Sequence, residues 1–234
     1  MRQPFFFCKR FSIVFTMCHN ELQNLVQADL TWMQCCGRGR RYSLEDWKTV
    51  LFINACVRKE SRTGKLADQL LLKLGNSYEE VCPHQISFPV ADEKYLNKRD
   101  ELISKQEFDD PMFDLARQFA GAGTIVIAAP YWDLSFPAAL KQYFEQINVV
   151  GISFRYTEEG VPVGLCRADR LYYVTTAGGC WVPEEFGYGY VKSLAQNYYG
   201  IEDIRLIKAV GLDIEGADVD AILKAAEETI DEQV

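Results

Sequence analysis

Three short stretches of this chain combine residue types that can do chemistry. The first, Asn54 to Thr63, reads NACVRKESRT and holds the hydroxyls of Ser61 and Thr63 beside Arg58, Lys59 and Arg62. Hydroxyls and backbone N–H groups at the start of a helix can hold a phosphate, aided by the helix dipole. Ser61 could equally be a plain helix cap. Arg58, Lys59 and Arg62 read as solvated, with Arg62 also able to pair a phosphate. The second stretch, Ala129 to Pro137, reads APYWDLSFP. Its Tyr131, Trp132 and Asp133 could line a flat heterocycle and hydrogen-bond it, or could simply plug the end of a sheet. The third, Thr175 to Cys180, reads TTAGGC. Paired glycines let a backbone approach a ligand closely, or merely make a turn. Cys180 has no nearby basic partner to activate it and is not taken as a nucleophile.

Each stretch follows an apolar run that reads as a buried strand: Thr49 to Ile53, Gly123 to Ala129 and Leu171 to Thr176. Leu66, Leu70, Leu71 and Leu74 recur at helical spacing and stop at Gly75-Asn76. Tyr78 to Phe88 reads weakly as a further strand. Polar sequence from Asp92 to Asp110 leads to a helix near Met112–Ala120. Helices are expected at Pro137–Val150, Tyr188–Tyr199 and Ala217–Glu232, and a last strand at Arg205–Gly211. Gly151 to Ala168 is an irregular insertion. Alternating strands and helices imply βαβ units. The fold class is α/β, a doubly wound five-stranded parallel sheet of order 2-1-3-4-5 with helices on both faces. In such sheets ligands bind beyond the carboxyl ends of the strands, where all three stretches fall.

The 234 residues carry a net charge of −8. That argues against a nucleic-acid binder, which needs a basic face. The first 47 residues carry six Lys/Arg against four Asp/Glu, so the remainder carries −10. Their apolar run, Phe11 to Met17, is too short to span a bilayer, and no clean cleavage site follows it. Residues 1–47 are read as a peripheral or spurious extension, and residues 48–234 as the domain. The eight cysteines are scattered and form no C-x-x-C pair, and His19 and His84 stand far apart. This pattern gives no metal site and fits a reducing cytoplasm. Neither a G-x-x-x-x-G-K-[ST] nor a G-x-G-x-x-G motif is present, which disfavours a triphosphatase and a direct dinucleotide fingerprint.

The domain resembles the flavodoxin-like family of FMN-dependent NADH:azoreductases and NAD(P)H:quinone oxidoreductases. Ala129 to Lys141 (APYWDLSFPAALK), Gly151 to Gly160 (GISFRYTEEG) and Val163-Gly164-Leu165 are similar to the family's P-M-Y-N-F-x-I-P-A-x-L-K, G-x-T-F-x-Y-T-E-x-G and G-L. Thr175 to Gly179 resembles T-S-R-G-G, and Ser61-Arg62-Thr63 lies where the family has its S-x-S phosphate loop. The resemblance implies a non-covalent FMN and a homodimer with the active site at the subunit interface. Ser61, Arg62 and Thr63 would hold the phosphate. Pro130, Tyr131, Trp132, Asp133 and Leu134 would border the isoalloxazine and ribityl chain, and Thr176, Gly178 and Gly179 would close the opposite side. Phe154 would help shape the substrate pocket, of its own or of the neighbouring subunit. The chain departs from the pattern where the family's M-Y-N becomes Tyr131-Trp132-Asp133, and at two further positions. Asp133 replaces an Asn, and an ionised Asp can only accept hydrogen bonds. Ala55 replaces a Ser, and Ala177 an Arg.

The implied activity passes hydride from NADH or NADPH through the flavin to a small quinone, azo or nitro acceptor. No side chain is assigned as a catalytic acid or base. A flavodoxin-like single-electron carrier with protein partners is the main rival. A flavin-free binding protein on the same fold is the third reading.

Overall fold

The computed structural model describes residues 49–234, so the extension expected over residues 1–47 lies outside the described residues. Five parallel strands form the central sheet: β1 (Val50–Asn54), β2 (Tyr78–Val81), β3 (Thr124–Ala128), β6 (Arg170–Thr176) and β7 (Asp203–Ala209), in the order β2-β1-β3-β6-β7. Counted within the sheet alone, this is the expected order 2-1-3-4-5. Strands β4 (Phe154–Tyr156) and β5 (Pro162–Gly164) pair separately as an antiparallel hairpin.

The strands read as unbroken apolar runs because both faces of the sheet are covered. Leu51, Ile53, Ile125, Ile127, Leu171 and Tyr173 point to one side. There they meet α2 (Glu93–Ser104), α3 (Asp114–Gly121), α4 (Ala138–Ile147) and α5 (Tyr188–Leu194). Phe52, Val126, Ala128, Tyr172 and Val174 point to the other side, against α1 (Arg62–Lys73) and α6 (Val219–Gln233). The alternation follows from the two-residue repeat of a strand.

Three local features differ from the sequence reading. Helix α2 lies within the stretch taken as polar connection. Asp92 caps it by accepting from the Tyr95 amide at 2.8 Å, and Leu102 is its one buried side chain. So little burial leaves almost no amphipathic signature. The weak second strand ends at Val81 and gives way to a 3₁₀ turn, Pro83–Gln85. The insertion at 151–168 is the β4–β5 hairpin, seated on a π-helical turn, Ala195–Tyr199, that continues α5.

Candidate active site at the carboxyl edge

The loops after β1, β3 and β6 meet at the carboxyl end of the sheet because those strands are neighbours. Ala55 N donates to Ala128 O at 2.8 Å, and Tyr131 N donates to Thr176 O at 3.1 Å. Thr63 and Thr176 share a buried hydrogen bond, Oγ1 to Oγ1, of 2.6 Å. The three stretches singled out in the sequence therefore form one continuous surface.

Ser61 caps α1: its backbone is extended, and its Oγ accepts from Gly64 N at 3.2 Å. The cap satisfies one of the helix's orphan donors. The amides of Arg62 and Thr63 have no acceptor among the described hydrogen bonds. The Thr63 hydroxyl is committed to Thr176, so Thr63 offers a ligand its amide rather than its side chain. Cys56 lies beneath the loop, and burial pushes its thiol up, away from nucleophilic use.

The second loop makes a two-residue turn. Trp132 N donates to Ser135 O at 3.0 Å, and Ser135 N donates back to Trp132 O at 2.8 Å. Both central residues are left-handed, Asp133 at φ 49° and Leu134 at φ 67°. Asp tolerates that region, whereas a Leu pays a steric penalty of roughly 1–2 kcal/mol there. The turn leaves Trp132 and Leu134 each 41% exposed. Strain held at a ligand-facing turn is characteristic of functional sites. Tyr131 points the other way. Its hydroxyl and Thr175 Oγ1 are buried without partners beside a small cavity, which the Lys208–Glu184 ion pair flanks.

Residues 48–234 match the flavodoxin-like fold family. The chain belongs to that family. It is 37% identical over 188 residues to an FMN-dependent NADH:quinone oxidoreductase of Clostridium beijerinckii, covering 76% of this chain and 93% of that protein. A protein of the same description from Coprothermobacter proteolyticus is 34% identical over 73% of this chain and 90% of its own length. Among solved structures, an FMN-dependent NADH-azoreductase from Bacillus anthracis in complex with FMN superposes with a TM-score of 0.66 at 25% identity, covering 79% of this chain and 96% of that one.

Within this family frame, eight of the eleven cofactor candidates (Ser61, Pro130 to Leu134, Gly178 and Gly179) lie on the three adjoining loops, Arg62 and Thr63 open α1, and Thr176 ends β6. Phe154 does not join them. The hairpin carrying it follows α4, and Arg167 N and Asp169 N donate to Ala120 O and Gly123 O just ahead of β3. It therefore sits at the amino edge, a full strand length away. Phe154 is buried there and stacks on Tyr198, ring centroids 4.3 Å apart.

A fourth loop also belongs to the surface. Gly211 N, Leu212 N and Asp213 N donate to Gly179 O, Ala177 O and Gly178 O at 3.0, 3.2 and 2.9 Å. This lays Asp213 against Gly178, where any Cβ would overlap its carboxylate. Arg62 closes the circuit, pairing with Asp213 at 2.6 Å and donating to Leu212 O at 3.0 Å. The sequence signals were Gly211 and Gly216, both left-handed at φ 80° and 78°. Among the described residues no three His, Cys, Asp or Glu side chains gather as a metal site.

Proposed function

We propose that the carboxyl edge binds FMN and that the chain works as an NAD(P)H-dependent FMN oxidoreductase, reducing quinone, azo or nitro-type acceptors. The observation that carries this reading is the junction across the Thr63–Thr176 bond. Free amides at the start of a twelve-residue helix stand on one side of it, and an exposed aromatic turn on the other. The residues fit a phosphorylated flavin. The Arg62 and Thr63 amides and the Arg62 guanidinium suit a phosphate. Trp132 and Leu134 suit the edge of a flat ring, and the backbone at Gly179, open where a Cβ would stand, suits close approach opposite. The relatives named for FMN and NADH support the same reading.

When bound, FMN supplies the two-electron relay between nicotinamide and acceptor. The protein's share is position and electrostatics. The helix start orients the phosphate, and the left-handed turn presents Trp132 and Leu134 outward. Asp133 adds a carboxylate that can accept a hydrogen bond from a ring N–H and disfavours further negative charge nearby. The nicotinamide donor is NADH or NADPH.

The working unit in this reading is a homodimer. Within a single chain Phe154 is buried against Tyr198 at the amino edge, so it does not shape the pocket at its own carboxyl edge. We place the chain in the cytoplasm because its scattered free thiols Cys56, Cys82, Cys166 and Cys180 suit a reducing compartment. Among the described residues no helix is long and apolar enough to cross a membrane.

Reconstitution with FMN followed by anaerobic addition of NADH tests the activity. The expected result is two visible flavin bands that bleach with NADH alone. Bound flavin that resists both NADH and NADPH points instead to an electron carrier. Sedimentation of the reconstituted protein at twice the chain mass is expected for the dimer.

A further inference from the structure

The geometry points to Asp213 as a built-in competitor for the flavin phosphate, holding Arg62 in the ligand's place and keeping FMN exchangeable. This inference rests on the proposed FMN site. Arg62 opens α1 beside the free amides, and its guanidinium already has two acceptors, the Asp213 carboxylate and the Leu212 carbonyl. A guanidinium stays charged and has five N–H donors, so a phosphate can reach it only by sharing or displacing Asp213. In the first turn of α1 Lys65 is likewise tied, to Glu60 at 2.7 Å. The pairing is no accident of a mobile side chain. Asp213 is fixed by its own amide on Gly178 O, and the absence of a Cβ at Gly178 makes room for its carboxylate.

Two effects follow from removing the charge of Asp213, and they share a sign. One Arg62 donor is released to the phosphate, and one negative charge leaves the neighbourhood of a dianion. The opposing effect is loss of Arg62 orientation. It is small, because the carboxylate is 67% exposed and exposed ion pairs contribute little. The bond to Leu212 O, made to a backbone carbonyl, also survives the substitution.

The test is a fluorescence titration of the full chain and its variants with FMN and with riboflavin, which lacks the phosphate. Asp213→Asn is expected to bind FMN about tenfold more tightly with no gain for riboflavin. Glu215→Gln, the same charge change two residues away, should shift FMN affinity less than about twofold. In an Arg62→Gln background the Asp213→Asn gain should shrink to the direct charge effect alone, about twofold, because the released Arg62 donor no longer contributes. Unchanged or weaker FMN binding by Asp213→Asn, in a variant with the wild-type melting temperature, overturns the inference and leaves the FMN site standing. An equal gain for riboflavin overturns it too. A wild-type chain that binds no FMN sinks the proposed function and this inference together.

Discussion

The two ends of the central sheet each carry an arginine–aspartate contact, and their settings differ. At the amino edge Asp203 lies between Arg170 at 2.5 Å and Arg205 at 2.9 Å, and both guanidinium groups sit over the Tyr172 ring at 5.9 and 5.8 Å. Around it the chain is sealed. Tyr199 is fully buried against Phe119 and donates to Asn148 Oδ1 at 2.8 Å, and Ser153 Oγ donates to Ile147 O at 2.7 Å. At the carboxyl edge Arg62 and Asp213 are more open, amides lack acceptors, and two left-handed residues hold a turn with an exposed Trp. The amino edge ties Asp203, Tyr199 and Ser153 into internal pairs, and the carboxyl edge leaves amides and an exposed turn open to a ligand. That asymmetry is the structural content of the functional proposal.

The comparison predicts that amino-edge substitutions affect stability and carboxyl-edge substitutions affect binding. The largest effect is expected for Tyr199→Ala, which empties a packed site and strands Asn148. Urea denaturation should show a loss of about 3–5 kcal/mol, with the FMN affinity of the folded fraction unchanged. Altered affinity would mean the two ends are coupled. Trp132→Ala should do the reverse. FMN binding should weaken about tenfold, near 1.4 kcal/mol, while the melting temperature changes little because Trp132 lies outside both buried cores.

Smaller effects sharpen the contrast. Asp203 has its carboxyl held below the usual range, first by the Arg205 hydrogen bond and then by Arg170. A depressed carboxylate contributes stability that is full above the unfolded value and is lost as pH falls through the folded one. Asp203→Asn should therefore lower stability by about 0.5–1 kcal/mol at neutral pH, a figure discounted for solvent screening. The two stability curves should converge in acid, once pH falls below the depressed folded-state value of Asp203. Curves that stay parallel into acid would remove the electrostatic explanation. The smallest change is a gain. Leu134→Gly relieves a left-handed Leu but adds unfolded-state entropy, leaving about 0.5 kcal/mol of net stabilisation. The same variant should bind FMN less well, which would show stability given up for the site.

The legible parts of this fold were those where burial writes itself into the sequence. Ile125 to Ala128 could be nothing but a central strand, and Leu66, Leu70 and Leu71 marked the buried face of α1. Helix α2 was opaque because Leu102 alone is buried and charges cover the rest. The site divided in the same way. Loops that follow strong strands could be located, and Ser61 could be read as a cap or a phosphate ligand from its position. Asp213 could not, because its partner Arg62 lies 151 positions away and meets it only through the pairing of β7 with β6. The burial of Phe154 against Tyr198 is hidden for a similar reason: the insertion shows no periodicity, and the π-helical turn beneath it has no sequence signature of its own.

Amide hydrogen exchange with and without FMN reads both ends of the sheet at once. The account predicts slowed exchange in peptides spanning 57–64, 130–135 and 176–180, and no change across 195–205. Slowing centred on the amino-edge segment, or none at the three loops with flavin bound, would contradict it.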